Sequence, residues 1–91
     1  MSSKSVARLG DVDTGHDTSP PRSNVQGSEN VYVNNLSIHR RTDEWGPHDH
    51  TSTLGDGSSS VFANNLNVGR IGDPVACGGS VASGSPNVFA G

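Results

Sequence analysis

His16, His48, His50 and Cys77 are the side chains of this 91-residue sequence best suited to chemistry. Together they offer three imidazoles and one thiolate, a tetrahedral donor set of the kind Zn2+ takes. Four protein donors leave no open coordination position, so such a site would be structural rather than catalytic. Iron is the alternative ion for the same donors, and His39 is a rival to His50 for the fourth place. A lone histidine in a polar chain is ordinarily solvated, and a lone cysteine ordinarily acts as a small buried hydrophobe. What lifts these four above that background is their placement. His16 follows Asp11 by five residues, His48 follows Asp43 by five, and Cys77 follows Asp73 by four. Counted from the other side, His50 precedes Gly57 by seven residues and Cys77 precedes Gly84 by seven. His48 and His50, two residues apart, would share one side of an extended strand.

The elements that must position these residues recur along the chain. Gly27-Ser-Glu-Asn-Val-Tyr-Val-Asn-Asn-Leu36, Gly57-Ser-Ser-Ser-Val-Phe-Ala-Asn-Asn-Leu66 and Gly84-Ser-Pro-Asn-Val-Phe-Ala-Gly91 match one another at a spacing of about 30 residues. Arg8-Leu-Gly-Asp11, Arg40-Arg-Thr-Asp43 and Arg70-Ile-Gly-Asp73 form a second, interleaved set. Val31 and Val33 flank Tyr32, and Val61 and Ala63 flank Phe62, which is the period of a pleated strand. Asn34-Asn35 and Asn64-Asn65 supply turns, because asparagine tolerates positive φ. Return strands are expected over Leu36 to Arg40 and Leu66 to Arg70. The third hairpin lacks its return strand, but Val6-Ala7-Arg8 is a return strand without a hairpin. Pairing Val6–Arg8 beside Val88–Ala90 would close it and cover open strand edges. The expected fold is all-β: one domain over residues 1–91, a small body of three hairpins about a pseudo-threefold axis. Threefold packing would gather the three ligand-bearing loops at one end.

Composition narrows the functional classes. The chain is 30% apolar, with one tryptophan, one tyrosine and two phenylalanines, a meagre supply for a core. So small and polar a domain needs a staple. A single cysteine excludes an internal disulfide, leaving a metal or a partner surface. Net charge is −3 with no basic stripe, so nucleic acid is not an expected partner. No 18-residue apolar run is present to span a membrane. Met1-Ser2-Ser3-Lys4 leads into polar sequence rather than an apolar signal region, so synthesis in the cytoplasm is expected.

Ala7-Arg8-Leu9-Gly10-Asp11 with Thr14-Gly15-His16, the following Pro20-Pro21, Asp73-Pro-Val-Ala-Cys-Gly-Gly79 and Gly84-Ser-Pro-Asn-Val-Phe-Ala-Gly91 resemble PAAR-repeat proteins. The resemblance covers nearly the whole chain. The eponymous Pro-Ala-Ala-Arg tetrad stands here as Ser37-Ile38-His39-Arg40 and Asn67-Val68-Gly69-Arg70, keeping the arginine alone. Thr42 replaces the glycine expected in the second Arg-x-Gly-Asp, and the loop from Glu44 to Asp56 is short. The resemblance implies a sharp cone with zinc at its vertex. Its blunt base would cap a trimeric β-helical spike, one cap per trimer. The setting would be the spike tip of a contractile phage tail baseplate, driven transiently into the target outer membrane, or a type VI secretion tip or effector adaptor. The sequence leaves no length for an appended toxin, which favours the phage virion.

Two other classes compete. His16-Asp17 and His48-Asp49-His50 resemble acid–base pairs, and a zinc with an open position would activate water. No nucleophile elbow, His-Glu-x-x-His or phosphate loop accompanies them, so neither an enzyme nor a small-molecule substrate is expected. A stand-alone zinc-binding module would need no partner and no exposed apolar end.

Overall fold

The computed structural model describes residues 3–15, 20–46, 52–76 and 78–91. Its strands are β1 (Lys4–Ser5), β2 (Tyr32–Val33), β3 (Leu36–Ser37), β4 (Glu44–Trp45), β5 (Ser52–Thr53), β6 (Phe62–Ala63), β7 (Leu66–Asn67) and β8 (Phe89–Ala90). The described residues contain no helix. As the repeats require, the architecture is all-β, laid out in tiers along one axis.

The first tier is three antiparallel hairpins: β2–β3, β6–β7 and β8–β1. Asn34 and Asn35 have φ of 54° and 66°, and Asn64 and Asn65 repeat both values. Two consecutive residues at positive φ make the tight turn that matches the twist of a hairpin. The third hairpin closes through the two ends of the chain, but two residues earlier than the sequence suggests. Lys4 pairs with Ala90 and Ser5 with Phe89, and Val6 N–H donates to Val88 O at 3.0 Å.

Val6 and Arg8 are instead committed to the second tier, where the return segments 4–9, 36–41 and 66–71 cross as a triangle. Val6 bridges Arg70, Val68 bridges Arg40, and Ile38 bridges Arg8. At the crossing point three backbone bonds form a closed cycle. Ala7 N–H donates to Gly69 O at 2.8 Å, Gly69 N–H to His39 O at 2.9 Å, and His39 N–H to Ala7 O at 3.0 Å. Leu9 to Ser37, Arg41 to Asn67 and Ile71 to Ser5 repeat the cycle farther out. Each of the three return segments is thereby bonded to both of the others, which closes the triangle on itself.

Small residues let the tiers approach. Each Gly-Ser pair lies against a return strand, and a Cβ on Gly57 would stand 2.6 Å from Val68 O. The serines beyond, Ser28, Ser58 and Ser85, are buried and accept N–H bonds two and three residues on. Such local serine bonds replace ladder partners at a strand start. Each hydroxyl then donates to the next hairpin: Ser28 to Asn64 Oδ1 and Ser85 to Asn34 Oδ1, both at 2.6 Å, and Ser58 to Gly91 O.

The core divides on either side of the triangle. Val6, Ile38, Val68, Val33, Ala63 and Ala90 pack together on the hairpin side, as two sets of three equivalent positions. Ala7, Trp45, Leu54, Val75 and Val81 pack on the other side, toward the loops.

Candidate functional site

The third tier carries the loops. Each Arg-x-x-Asp element turns the chain away from the triangle, with Asp N–H donating to Arg O at 2.9–3.0 Å. The third residue of each turn has positive φ: 92° at Gly10, 93° at Gly72 and 76° at Thr42. The aspartate folds back on its own arginine. Asp43 Oδ2 accepts from Arg40 N and Nε, both at 2.8 Å, while Oδ1 accepts from Nη2 at 2.9 Å. Arg8–Asp11 and Arg70–Asp73 repeat this fork. A planar guanidinium presents parallel donors to a carboxylate, a geometry that lysine could not reproduce at these turns. Burial works to raise the Asp11 pKa, but the bonds from Arg8 and Ser83 outweigh it and hold the carboxyl below its ordinary value.

Beyond the turns the chain pairs again, from Val12 to Ser23, through β4–β5, and from Pro74 to Ser80. These pairs are the necks of the three loops, and they are joined to one another all the way round. Asp13 bridges Val81, Asn24 bridges Trp45, and Leu54 bridges Val75. Thr14 N–H donates to Ser80 O and Ser80 N–H to Thr14 Oγ1, at 2.9 and 3.1 Å. Gly79 packs so close to the first neck that a Cβ on it would lie 2.7 Å from Gly15 O. Gly46 N–H donates to Ser23 O, and Ala76 N–H donates to Thr53 O, both at 2.9 Å. The three necks therefore open side by side at one end of the axis.

His16, His48, His50 and Cys77 lie outside the described residues, each a short step beyond a described neck. Of the histidines weighed as ligands, His39 is described. It is fully buried in the second tier, as its place in a return strand suggests. Its Nδ1 lies 2.7 Å from Gln26 O, and a carbonyl can only accept, so Nδ1 carries the proton. Nε2 and the indole Nε1 of Trp45 are buried without hydrogen-bond partners. Burial lowers the His39 pKa, against the Gln26 bond and the nearby Asp43 charge. Among the described residues, no group of three His, Cys, Asp or Glu side chains comes together to hold a metal.

The necks hold one arrangement that the repeat pattern alone did not single out. Asp13 and Arg22 form an ion pair at 3.1 Å with side chains 0% and 8% exposed. Asp13 stands where the other repeats carry Trp45 and Val75, and a carboxylate at an apolar inner position is the signal that marks it.

A shallow notch of about 250 Å3 between hairpins is lined by Glu29, Asn30, Arg40 and Asn64. Arg40 is held there by Asp43 and by Asn64 Oδ1 at 2.9 Å, and the notch presents no nucleophile. The hairpins also present Tyr32, Phe62 and Phe89 at equivalent positions, 60%, 54% and 55% exposed, with Leu36, Val61 and Val88 exposed among them.

No curated protein matches the chain. The sequence profile of the PAAR motif matches residues 14–83. With three hairpin repeats closed about one axis and a match over most of its length, this chain belongs to the PAAR-repeat family, whose members bind metal and form the spike tips of contractile injection machines.

Proposed function

We propose that the whole chain, residues 1–91, is a single structural domain that caps a trimeric β-helical spike and sharpens it for piercing a target outer membrane. The observation that carries this reading is the closed cycle of backbone bonds through Ala7, His39 and Gly69. It makes one chain approximate the threefold symmetry that a spike trimer has by association, so a single cap meets three identical chain ends. The hairpin half offers each of them an aromatic side chain, from Tyr32, Phe62 or Phe89. Repeated exposure of large apolar groups on one part of a small body is the mark of a docking surface.

The loop end serves as the point, with His16, His48, His50 and Cys77 holding one zinc ion, or iron in its place. The donor set fits a closed tetrahedral site, and the necks that carry it are bonded to each other in pairs. When bound, the ion supplies a cross-link between loops and stabilises a fold whose apolar core is small. Short segments joined at a common point resist splaying under axial load, and this is the demand on a tip. Penetration is mechanical, since no helix among the described residues is long and apolar enough to cross a membrane. The machine is a contractile phage tail, placing the protein at the baseplate of a virion, or a type VI apparatus with the same spike. No enzymatic step, small-molecule substrate or nucleic acid enters this reading.

Metal analysis of the purified chain tests the point, and co-purification with a trimeric spike protein tests the base. About one zinc per chain is expected, with loss of metal in His16→Ala and Cys77→Ala. Full metal retention by Cys77→Ala would refute the ligand set. Phe62→Glu should abolish spike capture while the metal stays bound, and unimpaired capture would refute the docking surface.

A further inference from the structure

The geometry points to Arg22 as the positioning residue of the loop end, the side chain that sets the necks of the first two loops against each other before any ion arrives. The role in metal binding rests on the zinc reading above, whereas the clasp itself is built from described residues.

Asp13 and Arg22 close the neck of the first loop. Asp13 Oδ1 accepts from Gly15 N–H and from Arg22 N–H, both at 3.0 Å. Its Oδ2 accepts from Arg22 Nε at 3.1 Å. The same guanidinium reaches across to the second neck, where Nη1 donates to Gly46 O at 2.8 Å. Thr14, between Asp13 and Gly15, is bonded to Ser80 of the third neck. One planar cation thus joins the base of the first loop to the start of the second, while its carboxylate partner steadies the residues facing the third.

The other repeats do this differently. Where the first has Asp13 and Asn24, they have Trp45 with Leu54 and Val75 with Val81, which meet in the apolar cluster. An apolar contact adapts by sliding, whereas a forked ionic contact fixes distance and direction. The first loop, with eight residues between Asp13 and Arg22, is also the longest of the three, against six between Trp45 and Ser52 and three between Val75 and Gly79. Its neck has the most freedom to restrain. Removing a group that orients metal ligands from behind typically costs 10–100-fold in affinity.

The test compares wild type with Arg22→Ala, Arg22→Lys and, as a control, Arg41→Ala. Arg41 also donates to a carbonyl, that of Gly55, but stands outside the clasp. Lysine keeps the charge facing Asp13 but lacks the fork that reaches Gly46, so Arg22→Lys guards against simple unfolding of the alanine variant. Co2+ is titrated into each metal-free protein in competition with a chromogenic chelator, and amide exchange is followed at Gly15 and Gly46. Both Arg22 variants are expected to bind Co2+ at least about tenfold more weakly. They should also show weakened tetrahedral d–d bands and faster exchange at Gly46, with Arg41→Ala like wild type. Wild-type affinity, spectrum and exchange in Arg22→Lys would overturn the proposal, even if its melting temperature fell. If wild type itself takes up no Co2+, the metal reading fails, and the Gly46 exchange rate alone decides whether Arg22 fixes the necks.

Discussion

The imidazole of His39 meets the indole of Trp45 edge-on, with ring centroids 5.1 Å apart and planes inclined at 79°. This contact joins the crossing point of the triangle to the apolar layer beneath the loops. It also seals His39 away from water, with one nitrogen committed to Gln26 and the other bare.

The first prediction concerns that imidazole. Its folded pKa lies below the ordinary value of 6.5, chiefly through burial. The unfolded chain therefore takes up this proton first as pH falls. His39 contributes stability that is present above pH 6.5 and lost as pH falls from there through the depressed folded value. Nitrogen-15 spectra should show one histidine fixed as the Nδ1–H tautomer near neutrality, with its titration midpoint below 6.5. A His39 resonance titrating near 6.5 would contradict the burial.

Thr42 carries the second prediction. It occupies the third position of a turn whose counterparts are Gly10 and Gly72, and its φ of 76° lies where a β-branched residue is strained. Left-handed backbone costs a non-glycine residue about 1–2 kcal/mol. Replacing Thr42 by glycine removes that cost but frees the unfolded chain, a penalty of about 0.4–1 kcal/mol. The net expectation is a gain between zero and about 1.6 kcal/mol, read as a rise in melting temperature of a few degrees. A lower melting temperature would show that the Thr42 side chain makes a compensating contact.

The same turn shows how far the residues alone could be read. Asn-Asn pairs, alternating valines and the recurring Arg-x-x-Asp gave the hairpins, their turns and the threefold arrangement, because each is a local backbone requirement written in one residue type. Lys4–Ser5 as the closing strand was not legible, since neither residue has a strand preference and only the positions of Phe89 and Ala90 select them. The loop necks were also hidden. They consist of two-residue ladders and single bridges, too short for any hydrophobic period. Asp13 and Arg22 pair across a loop, where sequence distance says nothing of contact. His39 was legible as an odd residue in a return strand, but its proton position depends on a carbonyl thirteen residues away.

Gly69 supplies a third prediction. A Cβ there would stand 2.6 Å from Leu54 Cδ2 and 3.2 Å from His39 O. Gly69→Ala should cost about 1–3 kcal/mol, the usual range for overpacking a core. The repeat register places Val81 where Leu54 stands and Ala7 where Gly69 stands, so the protein already contains the shorter side chain opposite the larger one. Leu54→Val should therefore recover part of the loss when combined with Gly69→Ala, although alone it leaves a small void. Additive losses in the double variant would show that the backbone of His39, not Leu54, sets the limit.

The last prediction separates the hydroxyl of Ser85 from its partner. Ser85 is buried, accepts from Asn87 N–H and Val88 N–H at 3.2 and 2.9 Å, and donates to Asn34 Oδ1 at 2.6 Å. Ser85→Ala strands two backbone donors, while Asn34 Oδ1 keeps its bond from Arg8 Nη1; the loss is about 1–3 kcal/mol per buried group left unpaired, less whatever water recovers. Asn34 is also tied by its amide nitrogen to Asn87 Oδ1 at 2.9 Å and accepts at Oδ1 from Arg8 Nη1 at 3.3 Å, so Asn34→Ala removes three bonds between neighbouring repeats. Because both substitutions break the same Ser85–Asn34 bond, the double variant should lose less than the sum of the singles. A coupling of about 0.5–3 kcal/mol is expected in denaturant unfolding. The equivalent Ser28–Asn64 pair should give a coupling of the same sign, since its geometry repeats that of Ser85–Asn34. Ser58 donates to the Gly91 carbonyl in place of an asparagine, so no side-chain substitution at position 91 can remove its acceptor. Coupling at two corners of the triangle and full, uncoupled loss in Ser58→Ala would identify these serines as the joints between repeats. Independent losses at all three would mean that each serine serves its own strand start alone.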